Sequence, residues 1–195
     1  MLAKIDPART KVLRKGAFSG ESVLYWMSRD KRVDDNWALL AAQSVALNNK
    51  VPLIVCFQYL GHFPEANIRQ YGFQLKGLLE LKNKLESLNI EFILSQGRAS
   101  EVIPRIIDEK VVGTIITDYS PLRVYKKRVS KVLNRTKIPF YQIDAHNIVP
   151  VWKASHKKEY AAYTIRKKIH NNLDQFLTDY PSLIKHPYGN IRKND

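Results

Sequence analysis

Three short segments carry the groups able to do chemistry: Met27-Ser28-Arg29-Asp30, Phe57-Gln58, and Thr117-Asp118-Tyr119-Ser120. Each follows an apolar run of strand length. Together they offer one guanidinium, two carboxylates, a phenol and aromatic walls. Such a set suits a flat heterocycle with polar edges, held by hydrogen bonds rather than attacked by a nucleophile. A simpler reading of the charges is a structural ion pair between Arg29 and Asp30 or Asp118.

Other chemistries find little support. The first strand-to-helix turn has no glycine, so neither a dinucleotide fingerprint nor a P-loop can wrap a pyrophosphate there. His62, His146, His156, His170 and His186 lack metal-ligand spacing and a cysteine partner, so no metal is expected. Cys56 lies within an apolar strand and reads as an inert core thiol. Trp26, Trp37 and Trp152 read as packing residues. No Ser–His–acid or paired-carboxylate arrangement emerges.

The elements that must hold these segments alternate between strand and helix. Strands are expected at Ser22–Met27, Pro52–Phe57, Glu91–Ser95, Val112–Thr117 and Pro139–Ile143. Between them lie a helix from Asp35 to Asn48 capped by Asp34 or Asp35, and a long helix from Asn67 to Leu88. The long helix carries an inward stripe of Ile68, Tyr71, Leu75, Leu78, Leu85 and Leu88. A short helix begins at Ser100. Another opens at Ser120-Pro121, with Leu122, Tyr125, Val129 and Val132 inward. A last helix is expected from Glu159 to Tyr180.

Buried strands separated by helices call for an α/β fold: a five-stranded, doubly wound parallel sheet of order 3-2-1-4-5, Rossmann-like, with helices on both faces. Ligands bind such sheets beyond the strands' carboxyl ends where the order reverses, here between strands one and four. That topology gathers the three segments named above.

With 195 residues, 45% of them hydrophobic, one core is expected. Residues 1–20 read as a basic extension, 21–152 as the α/β domain, and 153–195 as a terminal helix and linker. No apolar run approaches the ~20 residues of a membrane span. A single cysteine fits a reducing compartment, cytoplasmic or nuclear. The net charge is +14, and residues 121–195 carry 16 Lys and Arg against 5 Asp and Glu. A basic half of this kind attracts polyanions such as DNA, although a solvated helix face accounts for the charge as well.

Four blocks go further: Val23-Leu24-Tyr25-Trp26-Met27-Ser28-Arg29-Asp30 running into Asn36-Trp37-Ala38-Leu39, then Phe63–Phe73, Asp144–Val151 and Lys158–Arg166. In order and type they resemble the N-terminal domain of class II cyclobutane pyrimidine dimer photolyases, light-driven DNA repair enzymes. The resemblance spans roughly residues 20 to 187. It implies an antenna-binding domain that holds a deazaflavin or a folate in the cleft facing a helical domain, the latter carrying FAD and the DNA lesion. Met27, Arg29, Phe57, Asp118 and Ser120 are then the expected antenna contacts, and Phe63–Phe73 a scaffold at the domain junction.

Two positions depart from the family: Lys167 stands where proline is expected, and Lys127-Arg128 surround a point where tryptophan is usual. No helical flavin domain is recognisable in these 195 residues, so this chain alone is expected to lack catalysis. The alternative is a stand-alone chromophore- or nucleic-acid-binding protein derived from the same domain.

Overall fold

The computed structural model describes residues 5–59 and 67–189. The loop with Gly61, His62 and Pro64, and the Phe63–Ala66 part of the motif, lie outside the described residues. The strands are β1 (Thr10–Arg14), β2 (Ser22–Met27), β3 (Leu53–Tyr59), β4 (Glu91–Gln96), β5 (Val112–Asp118) and β6 (Phe140–Ile143). The principal helices are α1 (Trp37–Asn49), α2 (Ile68–Ser87), α3 (Ala99–Glu109) and α4 (Arg123–Arg135), followed by α5 (Val151–Ala154), α6 (Ala162–His170) and α7 (Leu173–Phe176).

The sheet order is β1-β6-β5-β2-β3-β4. From β4 to β6 this is the expected doubly wound parallel order, with Met27 beside Phe57 and Trp26 beside Thr117. The described residues form six strands rather than five. Thr10–Arg14, expected within a basic extension, pairs antiparallel with β6. Its short basic run hides the pattern because an edge strand buries little. Arg14 also donates to the Thr136 carbonyl and, at 2.9 Å, to that of Leu133, satisfying free carbonyls at the end of α4.

β2 is buried at every position, as a central parallel strand must be. One core lies between the sheet and α1 and α2; the other lies under α3 and α4. α1 is capped by Asn36, not Asp34 or Asp35: the Asn36 Oδ1 accepts from Ala38 and Leu39 amides. Its buried residues surround the axis, because the C-terminal tail covers the face turned from the sheet. Tyr180 packs on Trp37 at 4.6 Å, and Gln43 exchanges two hydrogen bonds with the Ile184 backbone.

α2 begins with a reciprocal Asn67–Gln70 capping box. Of its expected inward stripe, Leu78 and Leu85 are buried, joined by Leu81, and Tyr71 is half-buried against Tyr59 at 5.9 Å. Ile68 and Leu75 are exposed, and so are Phe73 and Leu79. α4 begins at Arg123 rather than at Pro121, with no side-chain cap. The expected helix from Glu159 to Tyr180 is broken into α6 and α7, with an irregular tail after Phe176.

Candidate functional site

β2 and β5 are neighbours in the sheet, and their chains leave in opposite directions, so the topology predicts a ligand crevice at their carboxyl ends. Asp118, the last residue of β5, organises it. Its side chain is 2% exposed. One oxygen accepts the Tyr25 hydroxyl at 2.7 Å. The other accepts the backbone amides of Ser28 at 2.8 Å and Arg29 at 2.7 Å, with the Ser28 hydroxyl at 3.3 Å. Burial pushes its carboxyl above the usual range and the Asp30 charge adds a little, while the Arg29 and Ser28 amides and the Tyr25 hydroxyl pull the other way. Tyr25 is raised as well, by burial first and then by the Asp118 charge.

Asn36 fixes the same loop from the far side. Its amide nitrogen lies 3.2 Å from the Tyr25 hydroxyl, 3.2 Å from the Asp30 carbonyl and 3.0 Å from the Arg32 carbonyl. One side chain thus caps α1 and ties the Ser28–Arg32 turn to the sheet.

This bracing leaves two reactive atoms unused. Arg29 forms no ion pair with Asp30 or Asp118 among the described residues, so the simpler reading of those charges fails. Its Nη1 is buried and has no hydrogen-bond partner among the described residues. Asp30 is 7% exposed; one oxygen meets His146 Nδ1 at 3.0 Å, and the other is buried and unpartnered. Buried polar atoms are almost always satisfied, so two orphans at one crevice mark a place that accepts and donates hydrogen bonds.

Aromatic rings frame them. Tyr119 meets Trp152 edge to face at 5.2 Å. Burial raises its phenol and the Asp144 charge adds to that, while the Arg29 guanidinium opposes it. Lys31 lies 5.4 Å from the centre of the Phe57 ring.

The five expected contacts divide. Arg29 keeps a free donor. Asp118 spends its acceptors internally, so it positions Arg29 rather than presenting a free oxygen. Met27 is fully buried and Phe57 is 6% exposed; both pack in the core beneath α1 and α2. Ser120 is buried and accepts the Leu122 amide at 3.4 Å, shaping the turn. His146, which lacks metal-ligand spacing, takes a polar role on Asp30. The signal for it was positional: Asp144-Ala145-His146 follows β6, which ends beside β5. Among the described residues, no cluster of His, Cys, Asp or Glu could hold a metal ion.

A family model for DNA photolyase matches residues 23–186. The chain belongs to the DNA photolyase family. It is 48% identical over 170 residues to the deoxyribodipyrimidine photo-lyase of Potorous tridactylus, covering 86% of this chain and 32% of that protein. The enzyme of the same name from Arabidopsis thaliana is 41% identical over 186 residues, covering 92% of this chain and 38% of the relative. This chain thus spans about a third of the length of these photolyases. Among solved structures, a bacterial class III photolyase from Agrobacterium tumefaciens superposes with a TM-score of 0.60 at 19% identity, over 89% of this chain and 37% of that one. A Synechocystis cryptochrome gives 0.63 at 14% identity, over 86% and 36%. These two likenesses concern the fold alone. The six-stranded sheet is therefore the photolyase N-terminal architecture, and the crevice at β2 and β5 lies within it.

Proposed function

We propose that this chain is the antenna domain of a class II DNA photolyase, which repairs cyclobutane pyrimidine dimers with light. Residues 21–152 hold a deazaflavin or a folate, and residues 153–195 lead towards a helical domain carrying FAD and the lesion. The enzyme works in the cytoplasm or nucleus, and this domain alone catalyses nothing. The observation that carries the reading is the unpartnered pair of buried atoms, Arg29 Nη1 and Asp30 Oδ2, at the point where the strand order reverses.

The two atoms fit a pterin or deazaflavin ring. Such rings carry carbonyl oxygens and ring N–H groups along one edge, so Arg29 would donate to the former and Asp30 would accept from the latter. When bound, the group supplies absorption in the near-ultraviolet or blue and passes excitation onward. The protein's part is binding and orientation. Asp118 and Asn36 hold the Ser28–Arg32 turn, His146 orients the Asp30 carboxyl, and Tyr119 with Trp152 supplies an aromatic wall that excludes water.

The test is an absorption titration of the chain with an 8-hydroxy-5-deazaflavin and with a reduced folate. A shifted bound band is expected for one of them, weakened at least tenfold by Arg29→Ala and by Asp30→Asn. Equal binding by wild type and both variants would move the site elsewhere. No binding by the wild-type chain at high micromolar ligand would remove the antenna role.

A further inference from the structure

From Tyr119 to Ile143 the chain contains no carboxylate and seven cations: Arg123, Lys126, Lys127, Arg128, Lys131, Arg135 and Lys137. Six of them lie on α4, spread around its outer side, while Val129 and Val132 on the inner side are buried. Among the described residues none of these cations pairs with an acid. Lys82, Lys84, Arg105 and Lys110, on or beside α2 and α3, all do. The outer face of α4 thus stays unneutralised where those cations of α2 and α3 are balanced by acids.

Two neighbours shape that face. Arg128 lies over the Tyr125 ring at 5.2 Å, and Arg135 donates to the Ser100 carbonyl at 2.9 Å. A hollow of about 580 Å³ separates the start of α3 from the end of α4, lined by Arg98, Ser100, Glu101, Lys131, Asn134 and Arg135. Its one acid, Glu101, is balanced by Arg98 at 3.6 Å. α3 has no side-chain cap, so the positive end of its dipole adds to the same hollow. The tail that covers α1 packs on the opposite side of the sheet and leaves this side uncovered by described residues.

We infer that the outer face of α4, with the hollow beside it, is a docking surface for the phosphodiester backbone of nucleic acid. Duplex DNA carries one charge per ~1.7 Å of axis, so a helix about 20 Å long overlooks roughly a dozen phosphates. Lysine and arginine donors with Asn134 and Ser100 match phosphate oxygens without reading bases. A membrane surface fits less well. Interfacial helices insert an apolar face, and that of α4 is already buried, leaving only Leu122 and Val124 exposed at its start. A protein partner would call for an apolar or aromatic centre that this face lacks. The surface is separate from the β2–β5 crevice, and it borrows from the proposed function only the presence of DNA.

The experiment measures binding of a fluorescein-labelled undamaged 20-base-pair duplex to the chain from about 50 to 200 mM salt. Lys126, Lys127 and Lys131 are exposed, so their joint replacement by glutamine preserves the fold, which circular dichroism checks. Affinity at the lowest salt is expected to fall at least tenfold, and the log–log salt slope to shrink by about two to three units. A control with equal charge loss, Lys157→Gln with Lys158→Gln and Lys167→Gln, is expected to lose less than threefold. Equal losses in both variants would reduce the effect to net charge and overturn the inference. So would unchanged binding in the α4 variant. Amide shifts on duplex addition give a second readout: changes confined to residues outside α3 and α4 refute the surface, as does binding to phosphatidylserine vesicles that duplex DNA fails to displace. None of these results bears on chromophore absorption.

Discussion

The Tyr25 hydroxyl donates to the Asp118 carboxylate at 2.7 Å across neighbouring central strands, and through it β2, β5 and the Arg29 loop are fixed to one point. Asp118→Asn keeps the shape but turns an N–H towards groups that are themselves donors. A loss of about 2–4 kcal/mol is expected in urea unfolding followed by tryptophan fluorescence. A change below about 0.5 kcal/mol would show that the turn holds itself.

Arg9 binds the C-terminal segments to the sheet. Its guanidinium is 2% exposed, reaches the carbonyls of Asp144, Asn147, Ile148 and Phe176 at 2.7–3.3 Å, and lies over Trp37 and Phe176. Lysine cannot span four carbonyls or stack as a plane. Arg9→Lys is expected to cost about 2–4 kcal/mol and to speed amide exchange in residues 144–154 and 173–177. Unchanged exchange there would contradict the hub.

His186 gives the tail a pH response. The residue is 1% exposed, its Nε2 meets the Val51 carbonyl at 2.9 Å, and its Nδ1 is buried without a partner. Burial lowers its pKa below the usual 6.5, against the smaller effect of the Val51 bond. The unfolded chain then binds the proton more readily, so stability is present above about pH 6.5 and is lost as pH falls through the folded value. Urea midpoints should fall from pH 7.5 to 5.5, and His186→Gln should remove part of that slope. An identical slope in the variant would assign it to other groups.

Cys56 is fully buried in β3, and burial pushes its thiol up to about 12. At pH 8 a disulfide reagent such as DTNB should leave it untouched in the folded chain and react fully in guanidinium. Labelling of native protein within minutes would reveal local opening of the central sheet.

Much of the fold was legible because a central parallel strand is apolar throughout: β2, β3, β5 and β6 announce themselves, and short crossovers dictate their order. β1 was not legible, since an edge strand needs only one partner and keeps its basic side chains. The α2 stripe misled for the opposite reason. Periodicity shows which residues share a face, not how much of that face a neighbour covers, and Ile68 and Leu75 stay exposed.

The same division holds at the site. Sequence by itself determined the family, the two loops and the residue types that meet at the β2–β5 crevice, because strand ends and topology are local and combinatorial. Only the tertiary structure decided the roles. Asp118 becomes a brace because four donors converge on it, and Arg29 is left with an orphaned donor because no carboxylate arrives. Asn36 displaces the neighbouring aspartates as the cap because one amide can serve helix and loop together. Satisfaction of buried polar groups is settled by distances between segments far apart in the chain, and no local pattern encodes those distances.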